Sequence, residues 1–476
     1  MYTLVAKLSI LVLLFIMAPL TSAVEYTVGQ GMQFAEIEDV PWEALNAGDV
    51  VLIHWRAQAY RSKWVLARQG TESQPIVIRG VANEEGVLPV IDGRDAVTRA
   101  QLNYWNEERS IIKIGGSNQP ADTTPRYIVV ESLDIRSARP PYRFTGRDGV
   151  SSYNENASGI YIEKGEHITI RNCILRDSGN GLFISHATKD ALIEHCFIHD
   201  NGIEGSIYHH NVYTAVQGLV YQFNHFGFLR NGCPGNNLKD RSAGLVVRYN
   251  WIEGGNRQLD LVDAEDSSAI QRDPRYRSTH VYGNILIEHS GQGNSQVVHY
   301  GGDSSNPAQY RKGTLYFFNN TIVSTRAGNT TLFRLSTNDE TADCRNNIIY
   351  TVPGGSFALM TEEGQLVLEK NWISENWRIS HSSFSGTVDG EEHLVEGSSP
   401  QFVDEDSQNY HIQSTSPVVD AAVALHPSVE ESHPLEWQYV RHQSKEVRPQ
   451  DNQPDLGALE TAEFNHIDDD KYHDAK

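Results

Sequence analysis

Cysteine is scarce in this chain, with four in 476 residues. So few thiols do not read as a disulfide framework, which leaves stability to burial and hydrogen bonding. Basic residues are outnumbered, 39 Lys and Arg against 61 Asp and Glu, and the formal net charge is −22. A charge of that sign repels nucleic acid and anionic membrane surfaces, and it repels an anionic polymer too unless a local basic patch reverses the field. Long apolar runs are missing outside residues 8–17. That one run is too short to span a bilayer, so no membrane insertion is expected.

The run has another use. Lys7 precedes it and Thr-Ser-Ala follows, ending at Ala23. A charged start, a short apolar stretch and small residues predict a signal peptide over residues 1–23 and an exported protein. Residues 24–460 read as one β domain. Residues 461–476, with the run Asp468-Asp469-Asp470, read as an acidic, disordered tail.

Abundant instead is a repeat. Asn224, Asn250, Asn284, Asn320, Asn347 and Asn371 each fall at the same place in a short phrase (YQFNHF, VRYNWI, VYGNIL, FFNNTI, CRNNII, EKNWI), and Cys173 and Cys196 occupy that place in IRNCIL and IEHCFI. Successive spacings are 23, 28, 26, 34, 36, 27 and 24 residues. A period in the twenties, lengthened by insertions, marks a solenoid. The phrases are rich in Val, Ile, Phe and Tyr, so its rungs are strands. Identical amides stacked rung on rung can hydrogen-bond as a ladder. Cys173 and Cys196 then stack as interior thiols, with a bridge between them the alternative. A second strand type alternates with the first: GIYIEK, GLFISH, NVYTAV, NLKDRS, QLDLVD, QVVHYG, TLFRLS and FALMTE. The expected fold is all-β, a single-stranded right-handed parallel β-helix with long loops on one side. Phe34, Ile37 and Val40 are spaced like one helical face, and Pro41 suits the start of a short capping helix that buries Trp42 and Leu45. Such a cap covers the unpaired strand edges of the first rung.

Strand side chains alternate between faces. The column Ile160, Val212, Leu238, Leu259, Val297 is apolar and assigned to the interior. The next residue along therefore points outward: Tyr161, Phe183, Tyr213, Lys239, Asp260. Arg241 follows Lys239 on the same face, about 7 Å along the strand. His299 and Arg334 fall in a nominally interior column. Lys239 and Arg241 form a basic spot with Asp260 beside it, which suits a uronate polymer. Such a polymer can be cut by β-elimination: the substrate carboxylate is neutralised, a base takes the C5 proton, and an acid protonates the leaving oxygen. Arg241 suits the carboxylate. Lys239, its pKa lowered by the neighbouring cation, suits the base, and Tyr213 or His210 the acid. Tyr161, Phe183, Arg257, His299 and Tyr300 complete the expected binding surface. Asp260, Asp263 and Glu265 are hard oxygen donors that suit Ca²⁺, the one cofactor considered. Four insertions, 201–210, 229–236, 264–278 and 301–312, are expected to wall the cleft. A purely structural reading also stands: an outward ladder of cross-strand ion pairs.

The opening GDVV…GTESQPIVIRG…PVIDG, the asparagine ladder and the ending NYHIQSTSPVVDAA…PDLGALE resemble secreted bacterial right-handed β-helix proteins of the polysaccharide lyase-like (pectin lyase-like) superfamily, over most of residues 25–460. The resemblance implies that fold, a periplasmic or secreted location and an acidic polysaccharide or oligosaccharide as partner. The fold itself hosts lyases, hydrolases, epimerases and adhesins. The stretch NLKDRSAGLVVRYNWI is similar to the family of alginate lyases and chondroitinase B, which has a Lys before an Arg-Tyr-Asn phrase and an Arg one coil later. Here Asp260 and Val262 stand where that Arg is wanted. The Gly-His-Gly of polygalacturonases and the Asp-Pro-His-Asp of mannuronan epimerases are absent. The leading expectation is a lyase. A hydrolase using Asp240, Asp260 or Asp263 and a non-catalytic glycan-binding or envelope protein are its alternatives.

Overall fold

Each phrase of the repeat becomes one strand of a parallel ladder. The computed structural model describes residues 23–450 and 453–461; nearly all of the expected signal peptide and tail lies outside them. A representative coil runs through Leu238–Asp240, Ala243–Arg248 and Trp251–Glu253, then returns as Leu259–Leu261 parallel to its starting strand. Eleven successive coils contribute one strand each to a sheet that begins at Val90–Asp92 and ends at Val395–Gly397. This is the right-handed parallel β-helix that the repeat predicts. Among the described residues, no helix is long and apolar enough to cross a membrane.

Five strands carry the site: β1 (Val212–Gln222), β2 (Leu238–Asp240), β3 (Leu259–Leu261), β4 (Gln296–Tyr300) and β5 (Asn329–Leu335). Val212, Leu238, Leu259, Val298 and Phe333 are register partners from rung to rung, and all are fully buried in the lumen. Here the structure corrects the expected register. Leu259 pairs with Val298, not Val297. Val297 and Val298 are both apolar, so hydrophobicity does not choose between them, and a slip of one residue exchanges the two faces. The outward column is therefore Tyr213, Lys239, Asp260, His299, Arg334. Tyr300 joins the interior instead, opposite Leu261 and Leu335, and is fully buried.

The asparagine ladder is continuous. The Nδ2 of Asn224, Asn250, Asn284, Asn320 and Asn347 each donates to the Oδ1 of the next asparagine, at 2.8–3.1 Å. The same Oδ1 also accepts the backbone N–H of the asparagine before it. The residue preceding each ladder position turns the corner with positive φ: Phe223, Tyr249, Gly283, Asn319, Asn346 and Lys370. A left-handed conformation costs a non-glycine residue about 1–2 kcal/mol. A made hydrogen bond contributes about 1 kcal/mol, so the paired amides offset the corners. Cys173 and Cys196 are buried, free thiols at the two preceding rungs.

The N-terminal end differs from expectation. The N-terminal cap is a pair of 3-10 turns, Ile37–Asp39 and Trp42–Ala44, and no α-helix. Trp42 is buried there and stacks on Trp64 at 4.9 Å. The last part of the chain does not simply close the solenoid's end. It runs back along the outside of the corners, packing Tyr410, Tyr439 and Leu456 against Trp251, Ile285 and Ile348. Backbone contacts fasten it from Asn346 (Val423 N–H to Oδ1, 2.9 Å) to His195 (Nδ1 to the Gln443 carbonyl, 2.8 Å).

Candidate active site

The outward column forms the floor of a cleft of about 1070 Å³ that Tyr213, Lys239, Arg241, Asp260, His299 and Arg334 all line. All four insertions reach it, through His209 and His210, Pro234 and Asn236, Glu265, and Asp303 and Tyr310. Asn154, Glu155 and Asn156 add a wall that the repeat does not signal.

The charged residues are recessed. Lys239, Arg241 and Asp260 are 8%, 6% and 2% exposed, which sets them apart from a solvated ladder of ion pairs. Lys239 Nζ donates to Asp260 Oδ2 at 2.7 Å and to Asp303 Oδ2 at 2.6 Å. Burial would lower the lysine's pKa, but the charges of Asp260 and Asp303 outweigh it and hold the amine above the ordinary lysine range. This reverses the role expected of Lys239. Arg241 pushes its pKa down, yet two carboxylates in direct contact push harder, so Lys239 is a fixed cation and a poor base.

Arg241 follows β2 and is held from several sides. Its Nε donates to Tyr213 Oη at 2.9 Å, Nη1 to the Asp263 carbonyl, and Nη2 to Asp303 Oδ1 at 3.0 Å. Glu265 Oε1 lies 3.0 Å from the same Nη2. Tyr213 Oη, accepting from Arg241, thus faces a cation.

Asp260 is fully engaged. Its Oδ2 accepts from Lys239 and from Asn236 Nδ2 at 2.7 Å, and its Oδ1 meets His299 Nδ1 at 2.8 Å. Burial alone would raise its pKa, but Lys239, His299 and Arg257 hold it well below the carboxylate range. Asp263 is fully buried, and its Oδ1 accepts the N–H groups of Asp303 at 2.8 Å and Ser304 at 3.3 Å. Glu265 belongs to Arg241. Asp260, Asp263 and Glu265 thus serve three separate sets of protein donors, and among the described residues no group of three or more His, Cys, Asp or Glu is arranged to hold a metal ion. The donor set does not fit Ca²⁺ as expected from the sequence. Asp240 is also withdrawn: it is fully buried and paired with Arg311 at 2.9 Å.

His210 lines the cleft but differs from the proton donor expected. Its Nδ1 accepts the Asn236 backbone N–H at 3.0 Å, which puts the ring proton on Nε2. Burial, and then the charge of Lys239, bring its pKa down to about 3. It is a neutral N–H donor at ordinary pH. His299 is also held low, by burial first, although Asp260 opposes the shift.

The expected binding surface is reached in part. Phe183 and Arg257 line the cleft, and Arg257 spends its Nε and Nη2 on Gln296 Oε1. Phe183 packs edge-on against Tyr213 at 5.1 Å. Tyr161 is covered, with the Arg109 guanidinium 4.7 Å from its ring centroid. Tyr300 is in the lumen. Asp303, Asn236 and Ser336 were not anticipated. Asp303 follows the pair Gly301-Gly302, and a Cβ on Gly302 would come within 2.0 Å of the Tyr310 ring. That glycine pair at the mouth of an insertion was the available signal.

No protein-family pattern matches this chain, and no curated protein sequence does. Among solved structures it is similar to pectate lyase Pel9A, at 11% identity and a TM-score of 0.49, over 93% of this chain and 97% of that one. It is also similar to an alginate lyase from Paenibacillus sp. str. FPU-7 (11% identity, TM-score 0.30, 74% of this chain and 94% of that one). A third is a GH136 lacto-N-biosidase from Eubacterium ramulus (12% identity, TM-score 0.40, 78% and 67%). Likeness at this level carries no chemistry into the cleft.

Proposed function

We propose that this protein is an exported polysaccharide-active enzyme that cleaves a uronate-containing glycan by β-elimination. One observation carries the reading: Lys239 and Arg241 together grip a carboxylate, one oxygen each, at 2.6 and 3.0 Å. In the resting chain that carboxylate is Asp303 on the cleft rim. A substrate uronate entering the cleft would take its place, and two cations would then neutralise it and acidify the C5 proton. Tyr213 is the group placed to move that proton. Arg241 Nε donates to its Oη, and so meets the negative charge that Oη carries before it takes the C5 proton and after it gives that proton to the leaving oxygen. His210 Nε2–H adds a neutral donor in the same cleft. Lys239 acts here as part of the carboxylate clamp and not as the base.

Elimination leaves a double bond conjugated to the carboxylate, so the product absorbs in the ultraviolet. The expected result with a panel of alginate, pectate and glycosaminoglycans is rising absorbance with one of them, lost in Tyr213→Phe. A second reading rests on Glu265 and Asp303. Their carboxylate oxygens both lie 3.0 Å from Arg241 Nη2, hence no more than twice that apart. That ceiling admits the roughly 5–5.5 Å of a retaining glycosidase pair. New reducing ends without absorbance would favour this hydrolase.

A further inference from the structure

Three successive rungs bring together a set of side chains that the elimination scheme does not use. Asp260 on β3 meets His299 on β4, Oδ1 to Nδ1 at 2.8 Å. His299 Nε2 lies 2.9 Å from the Oγ of Ser336, the residue that follows β5. The protons can be placed. Nδ1 faces an ionised carboxylate, so Nδ1 carries the ring hydrogen and Nε2 the lone pair. The hydrogen between Nε2 and Oγ is then the serine's, in preference to its other acceptors, the carbonyls of Gly302 at 2.9 Å and Tyr300 at 3.4 Å. A hydroxyl on a base that a carboxylate orients is the activated-nucleophile arrangement, recognised by geometry and not by chain order.

The surroundings fit a reacting group. Ser336 opens on a second cavity of about 510 Å³ that adjoins the first through Gly302, Tyr310 and Arg334. Gly302 N–H donates to Oγ at 2.9 Å. The loop comes that close because residue 301 is glycine: a Cβ there would meet Ser336 Oγ at 2.6 Å. The exposed Arg334, which lines both cavities, is a donor available to an oxyanion. Ser295, Gln296, Asn329 and Thr331 line the cavity. Such a lining suits a hydroxyl-rich sugar bearing a short acyl group and not a lipid chain.

We infer that Asp260, His299 and Ser336 form a second reaction centre, an esterase that removes short O-acyl groups from a glycan. Ser336 Oγ attacks the ester carbonyl carbon while its proton passes to His299 Nε2. The sugar oxygen leaves with that proton as the carbon–oxygen bond breaks. Water, giving its proton to Nε2, then attacks the acyl-serine, and the carboxylic acid departs as Oγ regains its hydrogen. No oxidant, reductant or metal enters the balance. Asp260 is a positioning residue in this scheme.

The test uses the full chain with p-nitrophenyl acetate and a fluorophosphonate probe. The expected result is one covalent adduct per chain, mapped to Ser336, and ester hydrolysis that falls about 10³-fold or more in Ser336→Ala and in His299→Ala. A wild-type chain left unlabelled, an adduct elsewhere, or a Ser336→Ala chain that hydrolyses the ester at the parent rate would overturn it. Should either variant fail to fold, the mapped wild-type adduct decides alone. Elimination is read separately, as ultraviolet absorbance, and should survive in Ser336→Ala.

Discussion

Lys239 and Asp260 face each other from adjacent rungs, Nζ 2.7 Å from Oδ2, both recessed in the cleft floor. Both are paired within the protein, so removing one takes a buried ionic partner from the other. Truncating one member of a buried pair costs about 3–5 kcal/mol. Lys239→Ala should therefore lose turnover and also lower the melting temperature. A chain that loses turnover with its melting temperature unmoved would contradict the burial of this pair.

Asp303 holds the place that the proposed substrate carboxylate needs. Asp303→Asn should leave Lys239 and Arg241 with a weaker internal partner, and KM for a polyuronate should fall several-fold. Steady-state kinetics on the responsive substrate measures this. A KM that rises instead would assign Asp303 to substrate binding or to the hydrolase pair.

The ladder predicts a stability effect far from the cleft. Asn284→Ala removes the acceptor of the Asn250 N–H and Nδ2 groups and the donor to the Val247 carbonyl. Buried groups left unpaired cost about 1–3 kcal/mol each. Denaturant unfolding should show a loss of several kcal/mol with the cleft chemistry intact in the folded fraction.

Acid should loosen the fold through its histidines before its carboxylates. Burial brings His210 to about 3, and burial with the neighbouring His433 brings His280 to about 3. An unfolded histidine titrates near 6.5, so between those values the unfolded chain binds the proton and the native chain does not. Stability is complete above pH 6.5 and falls as the pH drops toward 3, by at most about 1.4 kcal/mol per unit for each group. Asp260 and Asp303 are depressed carboxylates and add their loss only below about pH 4. A melting temperature flat from pH 7 to pH 5 would refute the neutral burial of these imidazoles.

Chelation offers a further check. Lys239 holds Asp260, Arg241 holds Glu265, and the Asp303 N–H holds one oxygen of Asp263, so turnover should change less than twofold with EDTA. A calcium-dependent rate would require Asp260 and Glu265 to leave their present partners.

The repeat made the fold readable because one interaction recurs: an amide at each corner announces itself by spacing alone. The same periodicity located Tyr213, Lys239 and Asp260, since each follows an apolar residue, and Arg241, two residues past Lys239. It failed at His299 and Arg334, where Val297 and Val298 make two registers equally apolar. It also missed Asp303, which no period carries; its place follows from the turn of a loop. The charge of Lys239 was misjudged for that reason, because one of its two carboxylates comes from that loop.

The returning C-terminal segment has a consequence for how the molecule is made. Its anchor points, Trp251, Ile285 and Ile348, belong to coils synthesised long before it. The coils can stack as they emerge, yet their aromatic flank stays uncovered until Tyr410, Tyr439 and Leu456 arrive to clasp it. A chain made amino end first thus stays unfastened along that flank until this segment has been added.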